Sequence, residues 1–234
     1  MSELVSCILA TRDRNRFFPQ ALRCYLSQRW TERELIVVDD GEEPVASLCA
    51  GIPGVRYLRL DRVTATGTKL NLGIENARGE VLVKIDDDDY YHPEFLATAA
   101  GSLLASGRRR AIAGWDCCLV MLAGEPGLRF SGHGWFCGGT LCFRRRVWES
   151  TPFRPIPADE DHWFLEDHNG PRVRVRETEQ YILVRHGRNT WAEFWPGYDV
   201  NDYIRSLAPY PKALAEVVDS EAAAFYASLA PARP

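Results

Sequence analysis

Four consecutive aspartates, Asp86 to Asp89, follow directly on the apolar run Val81-Leu82-Val83-Lys84-Ile85, and no other stretch restricts the chain as much. A short apolar run bounded by polar residues reads as a buried strand, so these carboxylates arrive together at one strand end. They repel one another and call for a cation. An all-oxygen cluster suits Mg²⁺ or Mn²⁺, and a divalent ion at a strand end implies a phosphate-bearing partner. Tyr90-Tyr91-His92-Pro93-Glu94 comes next, with Pro93 placed to open a helix through Ala97-Thr98-Ala99-Ala100. A solvated acidic turn is the plain alternative. Strand, acidic loop and helix in that order is nevertheless the layout of a ligand site.

The elements before this juncture repeat one pattern. Leu4 to Ala10 is apolar and ends in Thr11-Arg12-Asp13-Arg14-Asn15, a buried strand followed by a polar loop. A helix is expected from about Pro19 to Gln28. Leu35-Ile36-Val37-Val38 is a β-branched strand stopped by Asp39-Asp40-Gly41, and Val55 to Leu60 is another after the turn at Pro53-Gly54. Thr66 to Ala77 places Leu70, Ile74 and Ala77 at helical spacing, with Arg78-Gly79 as its stop. Strands alternating with helices predict an α/β fold with one doubly wound, mostly parallel sheet and a ligand crevice at the carboxyl ends of its strands. Asp13, Asp39 and Asp86 would gather on that edge.

From Ala111 the pattern changes to shorter strands and loops rich in Gly and Trp, including Gly132-His133-Gly134-Trp135 and Cys137-Gly138-Gly139-Thr140. Alternation returns at Arg172 to Arg176 and Tyr181 to Val184, which predicts further strands. The segment from Pro211 to Ala230 reads as helical, and Pro231-Ala232-Arg233-Pro234 should fray.

A chain of 234 residues, 46% of them hydrophobic, can bury one sizeable core. Its formal net charge of −4 argues against a nucleic-acid partner, because non-specific affinity for phosphate backbones comes from a basic excess. No window approaches the roughly 18 apolar residues of a membrane span, and the amino terminus lacks a basic, apolar leader. The 7 cysteines lie mostly in apolar surroundings without zinc-site spacing, and His133, Cys137 and Cys142 fit no common metal pattern. Reduced thiols in a cytoplasmic protein are expected. Nothing in the sequence fixes the oligomeric state, so a homo-oligomer stays open.

In this order the chain resembles the GT-A-fold nucleotide-sugar glycosyltransferases, and among them the inverting family 2. The resemblance is carried by Val5-Ser6-Cys7-Ile8-Leu9-Ala10-Thr11-Arg12-Asp13-Arg14, by Glu34-Leu35-Ile36-Val37-Val38-Asp39-Asp40-Gly41, and by Asn71 to Glu80 running into the aspartates. It implies a Rossmann-like nucleotide-binding half at 1–95, an acceptor half at 96–210 and a carboxyl-terminal helix and tail at 211–234, all in one domain. Asp86 and Asp88 are similar to the outer residues of the family's Asp-X-Asp motif and would hold Mn²⁺ or Mg²⁺, with Asp87 supporting the donor. Thr11 and Arg14 would frame the nucleoside, and Asp39 would bind its base or ribose. Where the family commonly has Ala-Arg-Asn, this chain reads Lys69-Leu70-Asn71, so the cation at Lys69 is displaced by one position.

The later segments supply the acceptor side. Ala158-Asp159-Glu160-Asp161-His162-Trp163 resembles the family's Glu-Asp motif, whose aspartate deprotonates the acceptor hydroxyl. Inversion needs one carboxylate opposite the departing diphosphate. Asp161 is assigned that role, with Asp159 as its rival. Val184-Arg185-His186-Gly187-Arg188 resembles a late loop that brings a histidine near the metal, with His186 as ligand and Arg185 or Arg188 clamping phosphate. Gly138-Gly139-Thr140 with Trp115, Trp135 and Trp163 would line the sugar and acceptor pocket. The implied partners are a nucleotide-diphosphate sugar and a small-molecule or glycan acceptor. A sugar nucleotidyltransferase would need a Gly-rich loop after the first strand, which Thr11 to Asn15 lacks, and a non-catalytic nucleotide-sugar binder remains the other alternative.

Overall fold

The amino-terminal apolar run forms β1 (Val5–Thr11), followed by α1 (Phe18–Leu26), β2 (Arg33–Asp39), α2 (Ala46–Cys49), β3 (Val55–Arg59), α3 (Thr66–Asn76), β4 (Val81–Lys84), β5 (Tyr90–Tyr91) and α4 (Phe95–Ala105). The second half adds β6 (Ile112–Trp115), β7 (Leu119–Leu122), β8 (Arg129–Phe130), β9 (Cys142–Arg144), α5 (Arg145–Ser150), α6 (Glu160–Glu166), β10 (Arg172–Val175) and β11 (Tyr181–Arg185). It closes with β12 (Glu193–Trp195), β13 (Tyr198–Asp199), α7 (Val200–Ser206), β14 (Ala208–Pro209), α8 (Leu214–Val217) and α9 (Ser220–Ala227). The computed structural model describes residues 3–190, 193–195 and 198–231.

The main sheet has 7 strands in the order β10-β6-β9-β4-β1-β2-β3. All of its neighbours pair in parallel except those of β9, which runs against both β4 and β6. Both faces are covered, and the strands show it residue by residue. Val5, Cys7 and Leu9 of β1, Leu35 and Val37 of β2, and Val81 and Val83 of β4 enter one apolar cluster. Ile8, Ile36, Val38 and Leu82 enter the other, beneath α3, as the period of 2 along a strand requires. Helix α3 lies close on this second face because Gly73 has no side chain there. A Cβ at Gly73 would fall 2.6 Å from Ile8 Cγ2 and 3.3 Å from Val38 Cγ2.

The expected α/β sheet is present, but the strands do not all join it. A second sheet of 5 strands, in the order β14-β8-β7-β11-β5, stands beside the first. Its β5 begins immediately after the aspartates and pairs antiparallel with β11, Tyr91 opposite Tyr181. The aspartate loop is therefore the step from one sheet to the other. Register sets its position: β1 and β2 pair with Thr11 opposite Asp39, and β1 and β4 pair with Ile8 opposite Lys84, so Thr11, Asp39 and Asp87 reach one edge.

Several boundaries differ from expectation. Helix α4 opens at Phe95, two residues beyond Pro93, with Glu94 as its capping position. The tail is two helices rather than one, broken at Asp219, whose carboxylate caps α9 by accepting from the Glu221 and Ala222 N–H groups at 3.1 and 3.0 Å. Fraying expected at Ala232 to Pro234 lies outside the described residues. The larger apolar cluster runs from Val5 to Leu229, so segments 1–95, 96–210 and 211–234 all contribute to it.

The Gly73 contact gives a direct test of this packing. Gly73→Val should destabilise the protein by about 1–3 kcal/mol, the usual range for overfilling a packed core, read as a lower midpoint in urea denaturation. An unchanged midpoint would contradict the close approach of α3 to β1.

Candidate active site

Each of the four aspartates is received by a different part of the chain. Asp87 is buried and accepts from Thr11 Oγ1 at 2.6 Å, the contact that the register of β1 and β4 anticipates. Asp88 meets His186 Nε2 at 3.0 Å and accepts from Asn189 Nδ2 at 3.3 Å. Asp89 accepts the Tyr181 hydroxyl and, at 2.8 Å, the Val184 N–H, and so ties the loop to β11. Asp86 has its side chain about a third exposed, and both of its oxygens accept from Lys84 Nζ at 2.7 and 3.0 Å. The Arg14 guanidinium lies between two of them, with Nε 3.8 Å from Asp87 and Nη2 3.8 Å from Asp88.

These surroundings sort the carboxylates. Burial and the Asp88 charge push Asp87 up to about 7, against the pull of Arg14 and Thr11. Burial and the charges of Asp88 and Asp86 lift Asp89 well above the usual range. Asp86 is raised by desolvation, with Lys84 opposing and Asp88 adding to the rise. Asp88 is half-buried; desolvation would raise it, but the His186 hydrogen bond and the Arg14 charge outweigh that and hold it low. Opposed shifts among adjacent acids are a pattern that clusters at functional sites.

Asp161 reaches the same place from α6. Its Oδ1 accepts from the His162 N–H at 2.7 Å, and its Oδ2 lies so close to Gly138 that a Cβ there would overlap it. The next residue, Gly139, is equally pressed. A Cβ at Gly139 would overlap the Tyr181 hydroxyl and fall 2.8 Å from Asp86 Oδ2 and 3.2 Å from Asp89 Oδ2. Consecutive Cα atoms are only about 3.8 Å apart, so Asp161 and Asp86 rest side by side on one glycine pair. Asp159 does not share this position: it is exposed at the start of α6, in the left-handed region at φ 60°, and caps nothing with its side chain.

The remaining expected residues lie nearby, in less open roles. Asp39 is fully buried and spent on its own loop, accepting from the Gly41 and Val45 N–H groups at 2.8 and 3.0 Å and from the Tyr57 hydroxyl at 2.8 Å. Lys69 is buried beneath the loop, donating to the Thr11 carbonyl at 3.0 Å and to Asp40 at 2.8 Å. Arg185 is buried and donates from Nε to Asn201 at 3.0 Å. Arg188 is exposed, and its carbonyl accepts from Arg14 at 2.6 Å. His186 stacks on Phe17 with ring centroids 4.3 Å apart, and its Nδ1 accepts from the Arg188 N–H at 3.1 Å. With Nδ1 so engaged, Nε2 is the ring nitrogen that faces Asp88.

The aromatic set divides. Trp115 is core, stacked on Phe95 at 4.5 Å with its indole N–H on the Glu177 carbonyl at 2.9 Å. Trp135 is half-buried, edge-on to Tyr203 at 6.0 Å. Trp163 is 38% exposed on α6, with the Arg154 guanidinium 3.9 Å over its ring. All seven cysteines are free and buried, and His133 is exposed, edge-on to Phe130.

Two residues to which the motif pattern assigns no role of their own sit at the centre. Lys84 is buried, and Glu160 is buried with its Oε1 3.6 Å from Lys84 Nζ. Burial disfavours the ammonium, but Asp86, Glu160 and Asp161 outweigh it and raise its pKa. Burial, with Asp161 and Asp86, pushes Glu160 up to about 7 against the pull of Lys84. A usable signal was present: a lysine inside a strand covered on both faces has no route to solvent, and its i+2 neighbour on the same side is Asp86.

Among the described residues, no three His, Cys, Asp or Glu form a closed metal cage. Magnesium and manganese at diphosphates ordinarily take one or two carboxylates, with water and phosphate supplying the other oxygens. The exposed edge of Asp86 and the ionised Asp88 fit that demand.

Residues 6–148 match Glycosyl transferase family 2. The chain belongs to glycosyl transferase family 2. It is similar to the succinoglycan biosynthesis protein ExoO of Rhizobium meliloti strain 1021, at 31% identity over 130 residues, covering 54% of this chain and 37% of that protein. It is also similar to the glycosyltransferase GlyG of Streptococcus pneumoniae serotype 4, at 26% identity over 103 residues, covering 42% of this chain and 34% of that protein. The chain thus spans about a third of the length of these curated relatives. Among solved structures it is similar to S. aureus TarS in complex with UDP-GlcNAc, with TM-score 0.60 and 18% identity over 78% of this chain and 59% of that one. TarS in complex with UDP gives 0.59 and 18% over 78% and 61%. The likeness to these structures carries the fold and bears out the GT-A expectation. No helix among the described residues is long and apolar enough to cross a membrane.

Asp89 offers a test of the loop's internal bonding in this family 2 chain. Asp89→Ala leaves the Tyr181 hydroxyl and the Val184 N–H unpaired in the interior, which should cost about 1–3 kcal/mol of stability. Asp89→Asn keeps an acceptor of the same shape and should cost clearly less in the same denaturation experiment. Equal losses would contradict the bonding described.

Proposed function

We propose that this chain is a metal-dependent inverting glycosyltransferase that moves a sugar from a nucleotide-diphosphate sugar to an acceptor hydroxyl. The observation that carries the reading is the shared seat of Asp161 and Asp86 on Gly138 and Gly139, because inversion requires a base and a diphosphate-binding group facing one anomeric carbon. Asp86 and Asp88 would hold Mg²⁺ or Mn²⁺, which when bound offsets negative charge on the departing diphosphate. Asp161 takes the proton from the acceptor hydroxyl. The acceptor oxygen bonds to the anomeric carbon as the bond from that carbon to the diphosphate oxygen breaks, and the nucleoside diphosphate leaves with the bonding pair.

The other residues shape the donor side. Arg14, bonded to the Arg188 carbonyl and close to Asp87 and Asp88, is the guanidinium best placed for phosphate oxygens. Asp39 and Lys69 act through the loops they brace, with Thr11 between them. Arg185 supports the segment that carries His186, and His186 keeps Asp88 ionised and aimed. Trp163, on the same helix as Asp161, gives an acceptor sugar an aromatic surface. TarS was solved with UDP-GlcNAc and UDP, which makes UDP the first nucleotide to try. Free, buried cysteines suit a reducing compartment, and a cytoplasmic site of action goes with the proposal.

Asp161→Asn should lower turnover by about 10²–10⁴-fold, the usual contribution of a positioned base, while nucleotide binding stays within about twofold of the native chain by calorimetry. Product configuration read by NMR should be opposite to that of the donor. Retention of configuration, or full turnover by Asp161→Asn, would contradict the assignment.

A further inference from the structure

Lys84 stands where the donor half and the base meet. It ends β4, its side chain is 5% exposed, and its Nζ has a carboxylate on either side: both oxygens of Asp86 at 2.7 and 3.0 Å, and Glu160 Oε1 at 3.6 Å. The first is a full charge-assisted hydrogen-bonded pair. The second is an ion pair about 1 Å too long to be one. Glu160 is the first residue of α6 and immediately precedes Asp161. The far end of that helix is fixed, since Arg154 holds Asp167 at 2.8 and 2.7 Å and Phe153 stacks on Phe164 at 4.1 Å.

A buried ammonium cannot be left without a counter-charge. Asp86 would have to share with a divalent cation the oxygens that Lys84 now holds, and the ammonium would be repelled. The other carboxylate within reach is Glu160, and a shift of about 1 Å closes that contact. We propose that Lys84 is a positioning residue that links occupation of Asp86 by a cation and diphosphate to the placement of Asp161, its ammonium moving from Asp86 toward Glu160. No bond is made or broken. The proposal rests on the donor-site reading above and adds to it an order of events, in which the donor side fills first and the base is then set.

The experiment uses the full chain and two direct binding readouts. Free Mn²⁺ counted by electron paramagnetic resonance gives the affinity for Mn²⁺ alone. The ¹⁹F spectrum of the 5-fluorotryptophan-labelled chain, with the Trp163 signal assigned through Trp163→Phe, follows α6 as Mg²⁺ and UDP are added. Lys84→Met removes the competitor for Asp86 and should bind Mn²⁺ about tenfold more tightly, at the low end of measured couplings for close charge pairs. The Trp163 signal should move in the native chain and stay in place in Lys84→Met and in Glu160→Gln, although both still bind UDP. An unchanged Mn²⁺ affinity in Lys84→Met, or a Trp163 shift that persists in both variants, would overturn the proposal. Should Lys84→Met not fold, Glu160→Gln, which leaves the Lys84 pair with Asp86 intact, decides by the Trp163 signal alone. Absence of UDP binding by the native chain is a separate result, which removes the donor-site reading and this proposal with it.

Discussion

Repulsion among four adjacent carboxylates is the constraint around which this molecule is arranged. Two unit charges about 5 Å apart at an effective dielectric of about 20 cost about 3 kcal/mol, and here the neighbouring acids raise one another's pKa. The fold answers by giving each acid its own partner from a different part of the chain: Lys84 of β4 for Asp86, Thr11 of β1 for Asp87, His186 and Asn189 for Asp88, and Tyr181 and Val184 of β11 for Asp89. The partners span residues 11 to 189, so satisfying the acids draws the amino-terminal sheet and the later strands into one site. Asp86 is the acid left with an exposed edge.

The second constraint is steric. Gly138 and Gly139 are pressed by Asp161 on one residue and by Asp86, Asp89 and Tyr181 on the next. Any side chain at Gly138 would displace Asp161, and any side chain at Gly139 would press on Asp86, Asp89 and Tyr181. Electrostatics assembles the acidic loop, and the glycine pair brings α6 up to it. Lys84 lies behind that contact, between Asp86 and Glu160, where a change of charge on one side is felt on the other.

Much of the first half is legible in the sequence because its signals are local. Each of β1, β2 and β4 is an apolar run that stops at acids, and Leu70, Ile74 and Ala77 mark the packed face of α3. The second sheet is not legible in the same way. Its β5, β8 and β14 are two residues long, and Ala208 pairs with Phe130, a contact that no periodicity announces. Within the site, motif resemblance places Asp86, Asp88 and Asp161 but not the state of their neighbours. Asp39 accepts from two backbone N–H groups and the Tyr57 hydroxyl, and His186 Nδ1 accepts from the Arg188 N–H. Both are consequences of loop geometry. Lys84 reads as an ordinary charged residue, and Glu160 only as the motif neighbour of Asp161, until their burial beside each other is known.

The central claim is that Asp86 and Asp88 form a cation-dependent nucleoside diphosphate site. Calorimetric titration of the chain with UDP, GDP, dTDP and CDP, in Mn²⁺ and in chelator, and repeated on Asp86→Ala/Asp88→Ala, measures it most directly. One of these diphosphates should bind, binding should need the cation, and it should be lost in the double variant. Binding that persists in chelator and in the double variant, or no binding of any of the four, would contradict it.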